Sequence, residues 1–123
     1  MGTRARIAYR YSDGSCISSY HHWDGYLQGL GALLTESYTD PKLIEKCIHK
    51  GNASLWCKDS ELNEYYDNEP CMVHKDTNNL LETAFDSCEE YLYVYSEKLK
   101  TWRFCISTAG EFVSINKDSF LEE

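Results

Sequence analysis

Residues 6–22, RIAYRYSDGSCISSYHH, decide the fold class. Arg6 to Tyr11 is β-prone and partly alternating, and Asp13-Gly14 after it is a strong two-residue hairpin turn signal. The return segment, Ser15 to His22, puts Cys16, Ser18 and Tyr20 on one face and Ile17, Ser19 and His21 on the other. The chain therefore opens with a β-hairpin, and whatever helices follow must pack on a sheet.

Helical spacing begins directly afterwards. Leu27, Leu30, Leu33, Leu34 and Tyr38 predict a helix over 27–38. Gly29 and Gly31 lie in its first turns at a cost of about 1 kcal/mol each against Ala, which makes sense where another backbone or a ligand comes close. Asp40-Pro41 starts a second helix, striped by Leu43, Ile44, Cys47 and Ile48 and stopped at Lys50-Gly51. Residues 52–75 show no period and read as an irregular, functional or mobile stretch. A third helix is predicted from Thr77 to about Glu90 through Leu80, Leu81, Ala84, Phe85 and Cys88. Three strands close the chain: Tyr91–Tyr95, Trp102–Ile106 and, after a turn at Ala109-Gly110, Phe112–Ile115; a short helix or tail ends it. The order ββ-αα-α-βββ is an α+β plan, one domain over residues 1–123 with about three helices on a mostly antiparallel sheet.

Charge narrows the function. The net charge is −8, and it is concentrated: residues 59–90 hold ten acidic side chains against Lys75 alone, while residues 1–50 hold six basic and five acidic ones. A nucleic-acid binder needs the opposite sign to neutralise phosphates, so direct nucleic-acid binding is not expected. An acidic face built from Asp59, Glu61, Glu64, Asp67 and Glu69 suits a basic surface on a partner protein, although a charged solvated loop has the same composition. Ten tyrosines suit either a binding surface or the edges of a core. The start, MGTRARIAYRYSDG, has no long apolar run, and no stretch reaches the roughly 20 apolar residues of a membrane helix. A cytoplasmic protein is expected, with its six cysteines mostly buried free thiols.

Chemistry-bearing clusters are few. His21-His22-Trp23-Asp24-Gly25-Tyr26 is the densest. His22 and Asp24 have the residue types of an acid–base pair. The structural alternative has Asp24 capping the next helix, Gly25 making the turn, and Trp23 and Tyr26 packing. Cys71 and His74 have an allowed zinc-arm spacing, but Cys57 and His49 supply no matching second arm, so no metal is expected. Phosphate-loop, dinucleotide, zinc-protease and serine-hydrolase motifs are missing from the sequence. No catalytic residue and no cofactor is expected.

Gly2-Thr3-Arg4 before a hairpin, then His22-Trp23-Asp24-Gly25-Tyr26 and Gly29-x-Gly31, resembles a family of small phage and prophage accessory proteins that begin with GTR and carry an HWDGY or QWDGY turn. Thr39-Asp40 through Lys50-Gly51-Asn52-Ala53-Ser54-Leu55 is similar to that family's second helix and the stretch after it. The similarity covers residues 1–55; Ala5 stands where the family has Ser, and Leu27 where Pro is common. The resemblance implies a phage protein in the infected host's cytoplasm, of a kind that often acts in counter-defence. It nominates Arg4, His22, Trp23, Asp24 and Tyr26 as a shared ligand-binding site, with Arg4 on an anionic group, Trp23 and Tyr26 stacking on a ring, and His22 and Asp24 orienting it.

Three functions fit. One is an inhibitor of a host nucleic-acid-targeting defence complex, anti-CRISPR-like, acting through the acidic surface. Another is a sponge for an immune signalling nucleotide, acting through Arg4 and the HWDGY turn. The last is a small nucleotide-degrading enzyme resting on His22 and Asp24. A host defence protein or a small nucleotide is the expected partner, and a homodimer through a sheet edge is compatible with the composition.

Overall fold

In the computed structural model, which describes residues 3–107 and 112–114, the opening segment forms the expected hairpin. β1 (Ala5–Arg10) pairs antiparallel with β2 (Cys16–His21), Ile7 opposite Ser19 and Tyr9 opposite Ile17. The connection spans residues 12–14 rather than two residues. Tyr11 N–H donates to the Ser15 carbonyl at 2.8 Å, and Gly14 takes the left-handed conformation at φ +94°. This is the three-residue hairpin with glycine in its last loop position.

The first helix differs from the simple expectation. Leu27–Gly31 winds as a π-turn, with Gly31 N–H reaching the Tyr26 carbonyl at 3.3 Å, and only Ala32–Ser37 (α1) is α-helical. α2 (Pro41–His49) follows its sequence signals: Asp40 Oδ1 accepts from Lys42 N–H at 3.0 Å and Pro41 takes the first turn. Gly51 ends the turn at φ +104°, where an added Cβ would lie 2.2 Å from the Glu69 carbonyl.

Residues 52–75 are not structureless. They hold β3 (Ala53–Leu55), a 3-10 turn at Ser60–Leu62, β4 (Glu64–Tyr65) and β5 (Met72–His74). Elements of two or three residues are too short to show a period of two. α3 spans Thr77–Asp86, capped by Asp76 Oδ1 on Asn79 N–H at 2.8 Å, and stops short of the expected Glu90. It ends because Cys88 takes φ +57°, while Cys88 and Glu89 N–H return to the Phe85 and Ala84 carbonyls. β6 (Tyr91–Ser96), β7 (Thr101–Ser107) and β8 (Phe112–Ser114) complete the sheet. The turn expected at Ala109-Gly110 and the final tail lie outside the described residues.

The protein is an α+β fold on one mixed sheet, in the order β4-β3-β2-β1-β6-β7-β8 with β5 beside β2. The β1–β6 and β2–β3 pairings are parallel and the other pairings antiparallel. Alternation along the strands sorts the side chains between two layers. Ile7, Tyr9, Ile17, Tyr93 and Tyr95 pack with Leu34, Tyr38, Ile44 and Ile48 from α1 and α2. Ala8, Cys16, Leu92, Val94 and Cys105 pack with Leu80 and Ala84 of α3 on the opposite face. Helices therefore cover both faces, and tyrosines fill much of the first layer.

On the α3 face the sheet buries a charge. Arg6, in the central strand, donates from Nε and Nη2 to the two carboxylate oxygens of Glu89 at 2.8 and 2.9 Å. Arg6 Nη1 also donates to Ser18 Oγ at 3.0 Å. Ser18 Oγ lies 2.7 Å from His74 Nε2, and His74 Nδ1 lies 2.8 Å from Asn79 Oδ1. Burial raises the Glu89 carboxyl pKa, and the two Arg6 bonds oppose that rise. Glu89→Ala is expected to destabilise the protein by about 3–5 kcal/mol, since Arg6 is left buried and uncompensated. The double replacement Arg6→Met with Glu89→Leu is expected to recover most of that loss. Urea denaturation of both variants checks it; equal losses in the two would show that the charge pair is not the cause.

Candidate functional site

The HWDGY turn follows directly from the end of β2. His22 Nδ1 lies 2.6 Å from the Tyr20 hydroxyl, and its ring meets Trp23 edge-on at 4.6 Å between centroids. Trp23 and Tyr26 do not pack into the core: they are 45% and 39% exposed. Asp24 does not cap the following helix, whose first turn has no side-chain cap at all. Instead Asp24 supplies the turn, at φ +54°, and its carbonyl accepts from Leu30 N–H at 2.9 Å.

Gly25 serves a close approach. Its N–H donates to the Thr3 carbonyl at 3.1 Å, and Tyr93 Oη–H donates to the Gly25 carbonyl at 2.6 Å. A Cβ there would sit 2.4 Å from the Thr3 oxygen. At Gly29, too, a Cβ would come close to main chain, 2.6 Å from the Asp24 carbonyl oxygen. The backbone approach expected at this glycine is therefore made by the chain itself. Arg4 is exposed next to Thr3, and its carbonyl accepts from Glu90 N–H at 2.9 Å. Thr3 and the HWDGY turn thus sit side by side.

A cavity of about 170 Å³ lies beneath this turn, bordered by His21, Trp23, Asp24, Leu33, Leu55 and Trp56 among others. Of the five nominated ligand residues, Trp23 and Asp24 border it; Arg4, His22 and Tyr26 do not. Trp56 is not marked by any sequence motif, and His21 stands in the densest cluster without a role of its own. His21 is 1% exposed, and its Nε2 accepts from the Trp56 main-chain N–H at 2.9 Å. Burial, followed by the neighbouring His22, pushes its pKa down from 6.5 to about 4. His21 is accordingly neutral near pH 7.

The acidic segment presents itself differently. Asp59, Glu61, Glu64, Asp67 and Glu69 are all exposed. Asp59 Oδ1 caps the 3-10 turn on Glu61 N–H at 3.0 Å, and Glu69 Oε1 accepts from Asn52 Nδ2 at 3.1 Å. None of the five joins an ion pair among the described residues.

Ser18, His74 and Asn79 stand in the order of nucleophile, base and orienting group, yet Ser18 and His74 are 0% and 1% exposed. A substrate has no route to them, and the three read as part of the buried network around Arg6. The candidate zinc set is not gathered either. His74 is committed to Ser18 and Asn79, and no cluster of three potential ligands forms among the described residues. The six cysteines are free thiols, three of them buried, and burial pushes Cys16 and Cys105 up to about 11 and about 12. No helix among the described residues is long and apolar enough to cross a membrane.

No family model, curated protein or solved structure matches the chain.

The depressed His21 pKa sets a pH dependence. The unfolded chain takes up this proton near 6.5, while the folded protein resists it until about 4. The stabilisation is fully present above pH 6.5 and is lost as pH falls toward 4, in all about 3 kcal/mol. His21→Gln keeps an acceptor for the Trp56 N–H and removes the titration. Between pH 6.5 and 4 the native protein is expected to lose about 3 kcal/mol more than this variant in denaturant unfolding. Parallel profiles would show that His21 titrates normally.

Proposed function

We propose that this chain is a phage-encoded counter-defence protein that acts by binding, covering a basic nucleic-acid-binding surface of a host defence complex in an anti-CRISPR-like manner. One observation carries the reading: Asp59, Glu61, Glu64, Asp67 and Glu69, five carboxylates on the short segment between β3 and β5, all face solvent. An unneutralised field of one sign steers a basic partner toward it and speeds encounter. It also repels nucleic acid, so the complex forms in competition with the partner's own phosphate ligand.

The resemblance of residues 1–55 to small phage accessory proteins supports the setting. The fold supports the mode of action. The acidic segment is fastened at both ends, by the β3 pairing of Ala53 with His21 and by the β5 pairing of Val73 with Ile17. Its charges are thus presented by a folded scaffold, which lowers the ordering cost of binding.

The test replaces all five by their neutral amides: Asp59→Asn, Glu61→Gln, Glu64→Gln, Asp67→Asn and Glu69→Gln. The amide introduced by Asp59→Asn still has a carbonyl oxygen with which to cap the 3-10 turn. At about 0.5–1 kcal/mol per charge, affinity for a CRISPR-type effector is expected to fall by a factor of about 10² to 10⁴, with a shallower dependence on salt. Effector pull-down and phage plating on defence-competent cells report it. Full inhibition by the fivefold variant would overturn the reading.

A further inference from the structure

Two buried N–H donors, on His21 and Trp56, have no hydrogen-bond partner among the described residues. His21 Nε2 accepts the Trp56 main-chain N–H, so the single proton of the neutral ring sits on Nδ1. Nδ1 is buried and has no partner; nor has Trp56 Nε1, on a side chain only 2% exposed. Folded proteins rarely strand buried donors, because each forfeits its hydration without replacement. Both residues border the same 170 Å³ cavity. Leu30, Leu33 and Leu55 give it aliphatic walls, and Trp23 adds an aromatic wall that reaches the surface. Among the described residues no Lys or Arg borders it, whereas Asp24 does.

We propose that this cavity binds a small, neutral, planar heterocycle bearing ring carbonyls, a pyrimidinedione or similar lactam. Its oxygens accept from His21 Nδ1–H and Trp56 Nε1–H. Two donors require acceptors, which excludes a hydrocarbon guest. Asp24 on the border, with no Lys or Arg there among the described residues, disfavours an anion and suits the ring N–H of a lactam. An apolar lining with a few placed polar groups is the usual make-up of a small-molecule site, and an indole wall suits a flat ring. Sites for drug-sized ligands run to about 300–1,000 Å³. A space of about 170 Å³ therefore takes a single ring, or the base end of something larger whose remainder projects past Trp23. This chemistry is distinct from an Arg4-centred phosphate site, and it does not rest on the acidic-surface reading.

The test is an NMR titration of the full chain with uracil, following the indole N–H resonances. Trp102 Nε1 is already bonded to the Tyr38 carbonyl at 2.9 Å and serves as the internal control. The Trp56 indole resonance is expected to shift saturably while that of Trp102 stays still. Trp56→Phe, which keeps a ring and removes the donor, is expected to weaken uracil binding about tenfold. Leu33→Trp, which fills the space with both donors intact, is expected to abolish it. Benzene and acetate are expected not to compete. No saturable shift, tighter binding of acetate than of uracil, or a water held at both N–H groups that uracil does not displace would each overturn the proposal.

Discussion

The buried pair of Arg6 and Glu89 is the constraint around which the rest of the structure is arranged. Arg6 lies in the central strand, so its charge has no route to solvent and must be met from within. Meeting it fixes the path of the chain between α3 and β6. The helix stops at Asp86, Cys88 takes a left-handed conformation, and Glu89 points inward. A non-glycine residue in that region costs about 1–2 kcal/mol, which the paired charge must offset. Through Ser18 the same guanidinium reaches His74 and Asn79, and Asn79 N–H is held by the Asp76 cap. A single buried cation thus links β1, β2, β5 and both ends of α3. Such networks stabilise only when every member is satisfied, and here each has its partner.

How much of this was legible in the sequence depended on the range of the interaction responsible. The hairpin around Asp13-Gly14 and the Asp40-Pro41 start of α2 are local, set by residues within a turn of each other, and they read correctly, although the hairpin loop is one residue longer than expected. The strands within 52–75 did not. β3 and β5 owe their extended state to pairing with β2, far away in the chain. The early end of α3 was hidden for the same reason: nothing near Glu89 announces that its partner is Arg6. Charge was easier. Exposure of the five carboxylates follows from their hydration. Trp56 carried no local signal and His21 only its place in the densest cluster, because their meaning lies in a cavity closed by α1, β2 and the residues around the end of β3. Asp24 misled for a physical reason. Aspartate suits a helix cap and a left-handed turn about equally, and the close approach of Thr3 to Gly25 decided for the turn.

That approach also joins the start of the described chain to the turn after β2. Thr3 bonds Gly25, Asp24 bonds Leu30, and Gly29 accommodates Asp24. The two segments are complementary halves of one backbone junction, which leaves Trp23 and Tyr26 on the surface and seats Asp24 over the cavity. Gly25 and Gly29 here record a fit between main chains.

β4 has a further consequence. It forms one outer limit of the sheet and is only two residues long, with Glu64 exposed on it and the other four carboxylates close by in sequence. A long, uncharged rim of unpaired N–H and C=O groups invites another chain to add on, the first step toward fibrils. This rim offers almost no template, and like charges face any copy that approaches it. The stretch that gives the protein its negative surface therefore also lets a β-rich chain accumulate to high concentration without polymerising along that side.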